Sequence, residues 1–253
     1  MENNKRLKYG PNKYAALNLM LARWARNWAV QTESYAYITL GGTEFFDVAN
    51  LAWVDRQLVK AICSYESSNE RYALAKENER RLVEKRLSVR LVLGDIFDYA
   101  RATDDRHIYF IDLEGTCRPS EYRPLFQSWF QNNNIRPDDF ILITSYSGRN
   151  PGWEKVLEPF DAEFRFLQVA TLSEKQRIYK LAHPLFVLYE ALQSAGMDDE
   201  LKLDCVGVVA YKDKSPMRIY GIVCQEGETK LETLVRSVPY FEITKRNWDD
   251  MVF

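Results

Sequence analysis

Histidine and paired cysteine are nearly missing from this chain. Only His107 and His183 occur in 253 residues, and the four cysteines, Cys63, Cys117, Cys205 and Cys224, form no C-x-x-C pair. A structural zinc or iron–sulfur centre needs such ligands at close spacing, so no metal framework is expected. Three of the cysteines lie in apolar, strand-like runs and read as reduced thiols of a cytoplasmic protein. A histidine general base is disfavoured, because His107 opens a strand and His183 falls in mid-helix. No apolar stretch is long enough for a membrane span, and Met1–Arg6 is not followed by a signal-peptide core. The net charge is only −2, so nothing global draws the chain to nucleic acid or membrane. The G-x-G-x-x-G fingerprint is also absent, which disfavours a nicotinamide-dependent oxidoreductase.

What the chain does have is centred on residues 35–47, Tyr-Ala-Tyr-Ile-Thr-Leu-Gly-Gly-Thr-Glu-Phe-Phe-Asp. Tyr35 to Leu40 is aromatic and β-branched, as suits a buried strand. Gly41 and Gly42 permit a tight turn and close approach of a ligand to the backbone. Thr43 can cap the helix that follows, whose free N–H groups suit a polar ligand. That helix is expected from Glu44 to about Gln57. Before this unit, Tyr14, Leu17, Leu21, Trp24 and Trp28 recur at helical spacing in a basic segment carrying Lys5, Arg6, Lys8, Lys13, Arg23 and Arg26. The favoured reading is an amphipathic helix packed on the core with its cations solvated. The other is a basic, aromatic contact for nucleic acid or a protein partner.

Further strands are expected at Lys60–Glu66, Val89–Ile96, His107–Leu113 and Phe140–Ser145. Ser67 to Glu70 has the spacing of a capping box and opens a charged helix to about Lys85. Tyr122 to Asn132 forms another helix. Ser173-Glu174-Lys175-Gln176 starts a long one, which Pro184 should bend and Gly196 should stop. Leu203–Tyr211 and Met217–Cys224 are joined by five residues, too few for a crossover, and must pair antiparallel. Strands alternating with helices demand a parallel sheet with right-handed crossovers. The expected architecture is therefore α/β: a three-layer Rossmann-like sheet, mostly parallel, closed by an antiparallel C-terminal hairpin. Residues 1–34 form a helical extension and 35–227 the sheet domain. Residues 228–253 form a tail that docks on it, with Tyr240, Phe241, Trp248 and Phe253 available for the contact.

In element order, and in the acids at its strand ends, the chain resembles class I S-adenosylmethionine-dependent methyltransferases over roughly residues 35–225. The resemblance implies that Leu40, Gly41, Gly42 and Thr43 cradle the methionine part of S-adenosylmethionine. It implies that Glu66 receives the ribose hydroxyls, and that Asp95 and Ile96, in Gly94-Asp95-Ile96, lie beside the adenine. Asp112 and Glu114 would then face the transferred methyl as candidate catalytic groups. Thr39 stands where the family carries an acid, and the family's Asp/Asn-Pro-Pro-aromatic motif for base amines is absent. Cys117 falls near the region where cytosine C5-methylating members place a nucleophile. Its flanks differ, and an incidental loop thiol is the favoured reading. The implied function is methyl transfer to an unidentified oxygen or nitrogen acceptor, nucleic acid included. The alternative is a catalytically inactive module of the same fold that binds a protein or nucleic acid.

Overall fold

Three strands carry the centre because their residues are apolar on both faces. These are β1 (Tyr35–Thr39), β4 (Arg106–Asp112) and β5 (Phe140–Tyr146), and nearly every residue in them is buried. Such continuous apolar runs belong to the middle of a parallel sheet covered by helices on both sides. The computed structural model describes residues 11–29, 34–40, 45, 47–48, 58–84, 89–113, 115–146, 157–158, 160–161, 164–236 and 238–243. Around the central strands lie β2 (Val59–Glu66), β3 (Val89–Leu93), β6 (Leu201–Lys212), β7 (Pro216–Glu226) and β8 (Tyr240–Glu242). All belong to one sheet, ordered β3-β2-β1-β4-β5-β7-β6-β8. Every neighbouring pair is parallel except β5–β7 and β6–β7, so β7 alone is reversed. This is the mostly parallel α/β sheet with an antiparallel hairpin that the sequence implies.

Helices form the outer layers. On one face lie α1 (Pro11–Asn27) and α2 (Asn69–Glu84), over a core that includes Tyr35, Tyr37, Phe110, Phe140 and Leu142. On the other lie α3 (Pro119–Gln131), the short α4 (Arg165–Gln168), α5 (Leu172–Ser194) and α6 (Leu231–Arg236). Their core includes Ile38, Tyr109, Ile111, Ile141 and Ile143. The alternation along each strand follows from the two-residue period of its side chains.

α1 buries Ala16, Leu17, Met20, Leu21 and Trp24 against the sheet. Its direction is fixed at both ends. Trp24 stacks on Phe140 at 5.0 Å and meets Tyr35 edge-on at 4.9 Å, both at the starts of their strands. The first turn lies at the opposite, carboxyl edge, where the N–H groups of Asn12 and Lys13 donate to the Asp213 carboxylate at 3.3 and 3.2 Å. Asn12 Nδ2 also donates to the Lys212 carbonyl at 2.8 Å. Between these ends the helix crosses β7 at Gly221, where an added Cβ would stand 2.5 Å from Met20 Sδ.

Several local expectations shift. The residue capping α2 is Ser68 rather than Ser67, its Oγ accepting from Arg71 N–H at 3.3 Å. The cap of α5 is Thr171 rather than Ser173, with Glu174 completing the capping box. α3 begins three residues early, at Pro119, a residue suited to a first helical turn. The third strand ends at Leu93, and Ile96 falls in a 3-10 turn, Ile96–Asp98. α5 continues through Pro184, and Gly196, at φ +71°, follows its end. In the tail, Phe241 of β8 takes the Arg23 guanidinium over its ring at 4.4 Å. Trp248, Phe253 and most of the helix expected at 44–57 lie outside the described residues.

Gly221→Val should therefore destabilise the protein by about 1–3 kcal/mol through overpacking, read as a melting temperature lower by several degrees. Met20→Ala in that background should recover part of the loss. An unchanged melting temperature in the single variant would show that α1 does not depend on this contact.

Candidate functional site

A polar row ends the buried strands on the α1 face. Tyr37, Ile62, Phe110 and Leu142 belong to the core on that side. Two residues further along each strand stand Thr39, Ser64, Asp112 and Thr144, which the pleat turns the same way. Register aligns Thr39 with Ser64 and Asp112 with Thr144. The carboxyl ends of β1, β2, β4 and β5 thus exchange hydrocarbon for hydroxyl and carboxylate together. Ligands of open parallel sheets bind outside this edge.

Two hydrogen-bonded groups occupy the row. In the first, Asp112 accepts from Lys13 Nζ of α1 and from Thr144 Oγ1. Lys13 was expected to be a solvated cation; its side chain is instead 14% exposed and ion-paired with Asp112. In the second, Asp47 Oδ2 accepts from Thr39 Oγ1 at 2.6 Å and from Tyr37 Oη at 3.0 Å. Asp47 is fully buried, and its other oxygen, Oδ1, has no hydrogen-bond partner. The Ser64 hydroxyl, across from Thr39, is likewise buried without a partner. Two unsatisfied polar atoms therefore flank Thr39.

The charge balance of this group is unusual. Burial pushes the Asp47 carboxyl up to about 6, against the opposing pull of the Thr39 and Tyr37 hydroxyls and the Val48 N–H, while Asp112 raises it further. Burial also drives the Tyr37 phenol well above its ordinary value, with Asp47 adding to the shift. A carboxylate here has hydroxyl partners but no cation among the described residues.

The residues singled out from the sequence fall around this row. Leu40 follows β1, its N–H donating to the Phe110 carbonyl at 3.2 Å. Glu66 ends β2, 8% exposed, and its Oε1 accepts from Ser68 N–H at 3.0 Å. Asp95 lies past the end of β3, exposed, and its Oδ1 accepts from Phe97 N–H at 3.0 Å, capping the 3-10 turn. Ile96 is fully buried in the opposite core. Gly41, Gly42, Thr43 and Glu114 lie outside the described residues. Cys117 is buried, and burial drives its thiol far above the ordinary value. That environment suppresses the thiolate a nucleophile needs. His107 lies at the amino edge, its Nε2 paired with the Tyr99 hydroxyl. Burial pushes His107 and His183 each down to about 4, with Arg101 adding to the effect on His107. Among the described residues, no three of His, Cys, Asp and Glu gather as a metal site, and no helix is long and apolar enough to cross a membrane.

Sequence reading missed Lys13, Asp47 and Thr144. Thr144 was legible as the polar residue that ends an apolar alternation, on the same pleat side as Asp112. Lys13 was not, because its partner lies 99 residues away.

No protein-family model matches the sequence, and no curated protein matches it. Solved structures similar to the chain include an S-adenosylmethionine-dependent methyltransferase from Clostridium acetobutylicum, 13% identical, covering 85% of this chain and 92% of that one with a TM-score of 0.49. An O-methyltransferase from Bacillus cereus in complex with SAH is also 13% identical, over 86% of this chain and 83% of its own, at 0.48. A putative rRNA methylase from Clostridium thermocellum is 10% identical, over 84% and 97%, at 0.45.

The sign of the Asp47 shift gives a pH prediction. An unfolded aspartate releases its proton near 3.8, whereas this one holds it to about 6. The folded state binds the extra proton, so this group's contribution to stability is fully present below pH 3.8 and is lost as pH rises through 6. The loss is on the order of 2–3 kcal/mol. Asp47→Asn should remove that slope and melt higher than the parent at pH 7. Parallel pH–stability curves for the two proteins would refute the assignment.

Proposed function

We infer that the chain is an S-adenosylmethionine-dependent methyltransferase acting on an oxygen or nitrogen acceptor. The observation that carries this reading is the buried Asp47 carboxylate with its unsatisfied Oδ1 at the end of β1. A buried charge demands a counter-charge, and a carboxylate at the first strand–helix turn repels a pyrophosphate. The site therefore favours a ligand bearing cationic groups over a dinucleotide. S-adenosylmethionine carries an ammonium and a sulfonium, and its residues of contact would be Asp47, Leu40, Gly41, Gly42 and Thr43. Glu66 is the strand-end acid for its ribose hydroxyls, and Asp95 the polar group for its adenine. When bound, this cofactor supplies an electrophilic methyl group.

The protein's own tasks are alignment and proton removal. Asp112 already accepts from Lys13 and Thr144, so it holds and orients rather than takes a proton. Glu114, two residues beyond, is the base in this reading. The sheet supports the assignment: β7 lies reversed between β5 and β6, and the resemblance in sequence implied one antiparallel strand from the closing hairpin.

Calorimetry with S-adenosylmethionine, S-adenosylhomocysteine, 5′-methylthioadenosine and NAD tests the proposal. The first three should bind and NAD should not. Asp47→Asn should weaken S-adenosylhomocysteine roughly ten- to a hundred-fold, the worth of about 1.5–3 kcal/mol for a charge-assisted hydrogen bond. Methylthioadenosine lacks the ammonium and should bind that variant unchanged. Failure of the wild-type protein to bind any S-adenosyl compound would end the reading.

In an active enzyme, Glu114→Gln should cut turnover while leaving cofactor affinity in place, the pattern of a group used in the transition state. Equal loss in both would assign Glu114 to binding instead.

A further inference from the structure

Pro184 leaves a gap in the hydrogen bonding of α5, and a strand residue fills it. A helix carbonyl accepts from the N–H four residues ahead. Four residues after Lys180 stands Pro184, which has no N–H to give. The carbonyl released in this way accepts instead from Nη1 of Arg218, on β7. A proline that reads in the sequence only as a bend thus fixes one arm of a guanidinium.

Register puts that guanidinium at the carboxyl edge. Arg218 pairs with Ser145, next to last in β5, on one side and with Ala210 of β6 on the other. Its side chain shares a pleat side with Tyr220, which belongs to the core away from α1. Asp112 pairs with Thr144, so Arg218 stands two strands from Asp112, about 10 Å across the sheet. The two residues mark opposite faces of one edge.

The charge of Arg218 is unmatched. Among the described residues no carboxylate pairs with it, and its Nε is enclosed without a hydrogen-bond partner. The side chain as a whole is part-exposed. Burial drives the neighbouring Tyr220 phenol far up, and the charge and hydrogen bond of Arg218 pull against that rise. With Nη1 held by the helix, the Nε–Nη2 edge remains, two parallel donors that match the oxygens of a carboxylate or phosphate. A structural arginine closes its donors on the fold, as Arg101 does at the amino edge on Asp139 and the Asn134 carbonyl.

We propose that Arg218 binds an oxyanion, the carboxylate or phosphate of the methyl acceptor, with Pro184 positioning it through the Lys180 carbonyl. The acceptor's part in this rests on the methyl-transfer reading, whereas the anion site rests on Arg218 itself.

Nitrogen–proton NMR spectra of the full chain test it, with sodium acetate and sodium phosphate titrated separately at constant ionic strength against sodium chloride. The Arg218 Nε–H signal, identified by its loss in Arg218→Lys, should shift to saturation with acetate or phosphate and not with chloride. The Ser145 and Tyr220 amides should follow it, and the tighter anion names the acceptor's group. Arg218→Lys keeps the charge but not the paired donors, and should weaken the anion roughly ten-fold or more at those amides. Pro184→Ala restores the missing N–H, takes the Lys180 carbonyl from Arg218 and should weaken the anion by a smaller factor. Lys202→Ala, near the start of β6 at the amino edge, should change nothing. No saturable shift in the wild-type protein, an equal shift with chloride, or full affinity in Arg218→Lys would overturn the site. Unchanged affinity in Pro184→Ala would overturn the positioning by Pro184. S-adenosylhomocysteine added to the same samples separates the two readings. Its binding without any anion shift sinks this proposal alone, and an anion shift in a protein that binds no S-adenosyl compound removes the acceptor's part.

Discussion

Met20 seated on the bare backbone of Gly221 decides where α1 can lie. A larger residue at that point would hold the helix off the sheet. With the glycine, α1 settles deep enough to bury Leu17, Leu21 and Trp24 and to bring its first turn to the carboxyl edge. From that position follow the Lys13–Asp112 pair and the capping of the helix by Asp213. A packing contact in mid-sheet thus controls the electrostatics of a site at its edge.

The two edges of the sheet are built differently. At the amino edge a buried ion pair, Arg101–Asp139 at 2.5 Å, is fully hydrogen-bonded into its surroundings. Arg101 also donates to the Asn134 and Asp105 carbonyls, and Asp139 accepts from His107 and Arg136 N–H groups. At the carboxyl edge the buried acid, Asp47, has an oxygen left over. Satisfied networks rigidify a fold, and incomplete ones mark where something else is expected. The Arg101–Asp139 network braces the amino edge, while Asp47 leaves an acceptor open at the carboxyl edge.

The sheet was legible because its central strands are continuous apolar runs and its hairpin is joined by too few residues for any other pairing. Helix starts were less so. Leu172, the first residue of α5, is 71% exposed, so the apolar periodicity that marks the helix begins later than the helix, and Ser173 looked like its cap. Ile96, expected beside the adenine, opens the short 3-10 turn Ile96–Asp98 and has its side chain in the core. Asp47 and Lys13 were read as parts of their own helices. Their roles come from partners on strands: Asp47 reaches back across the turn to Thr39 and Tyr37, and Lys13 reaches a residue 99 positions away.

The outer margin of β6 is closed by two short pieces of the tail. The Thr229 hydroxyl accepts from Leu203 N–H and donates to the Leu201 carbonyl. Further along, Val208 N–H reaches the Pro239 carbonyl, Ile243 N–H reaches the Ala210 carbonyl, and β8 pairs with Val208–Ala210. Between them the strand is irregular, with its register shifting between Cys205 and Gly207. An open twelve-residue apolar margin would be a template on which another chain could add a strand. Here a single threonine and a three-residue strand take up its hydrogen bonds, and the sheet terminates itself. Thr229 and β8 therefore cover this margin against strand addition, a duty separate from any chemistry at the other end of the strands.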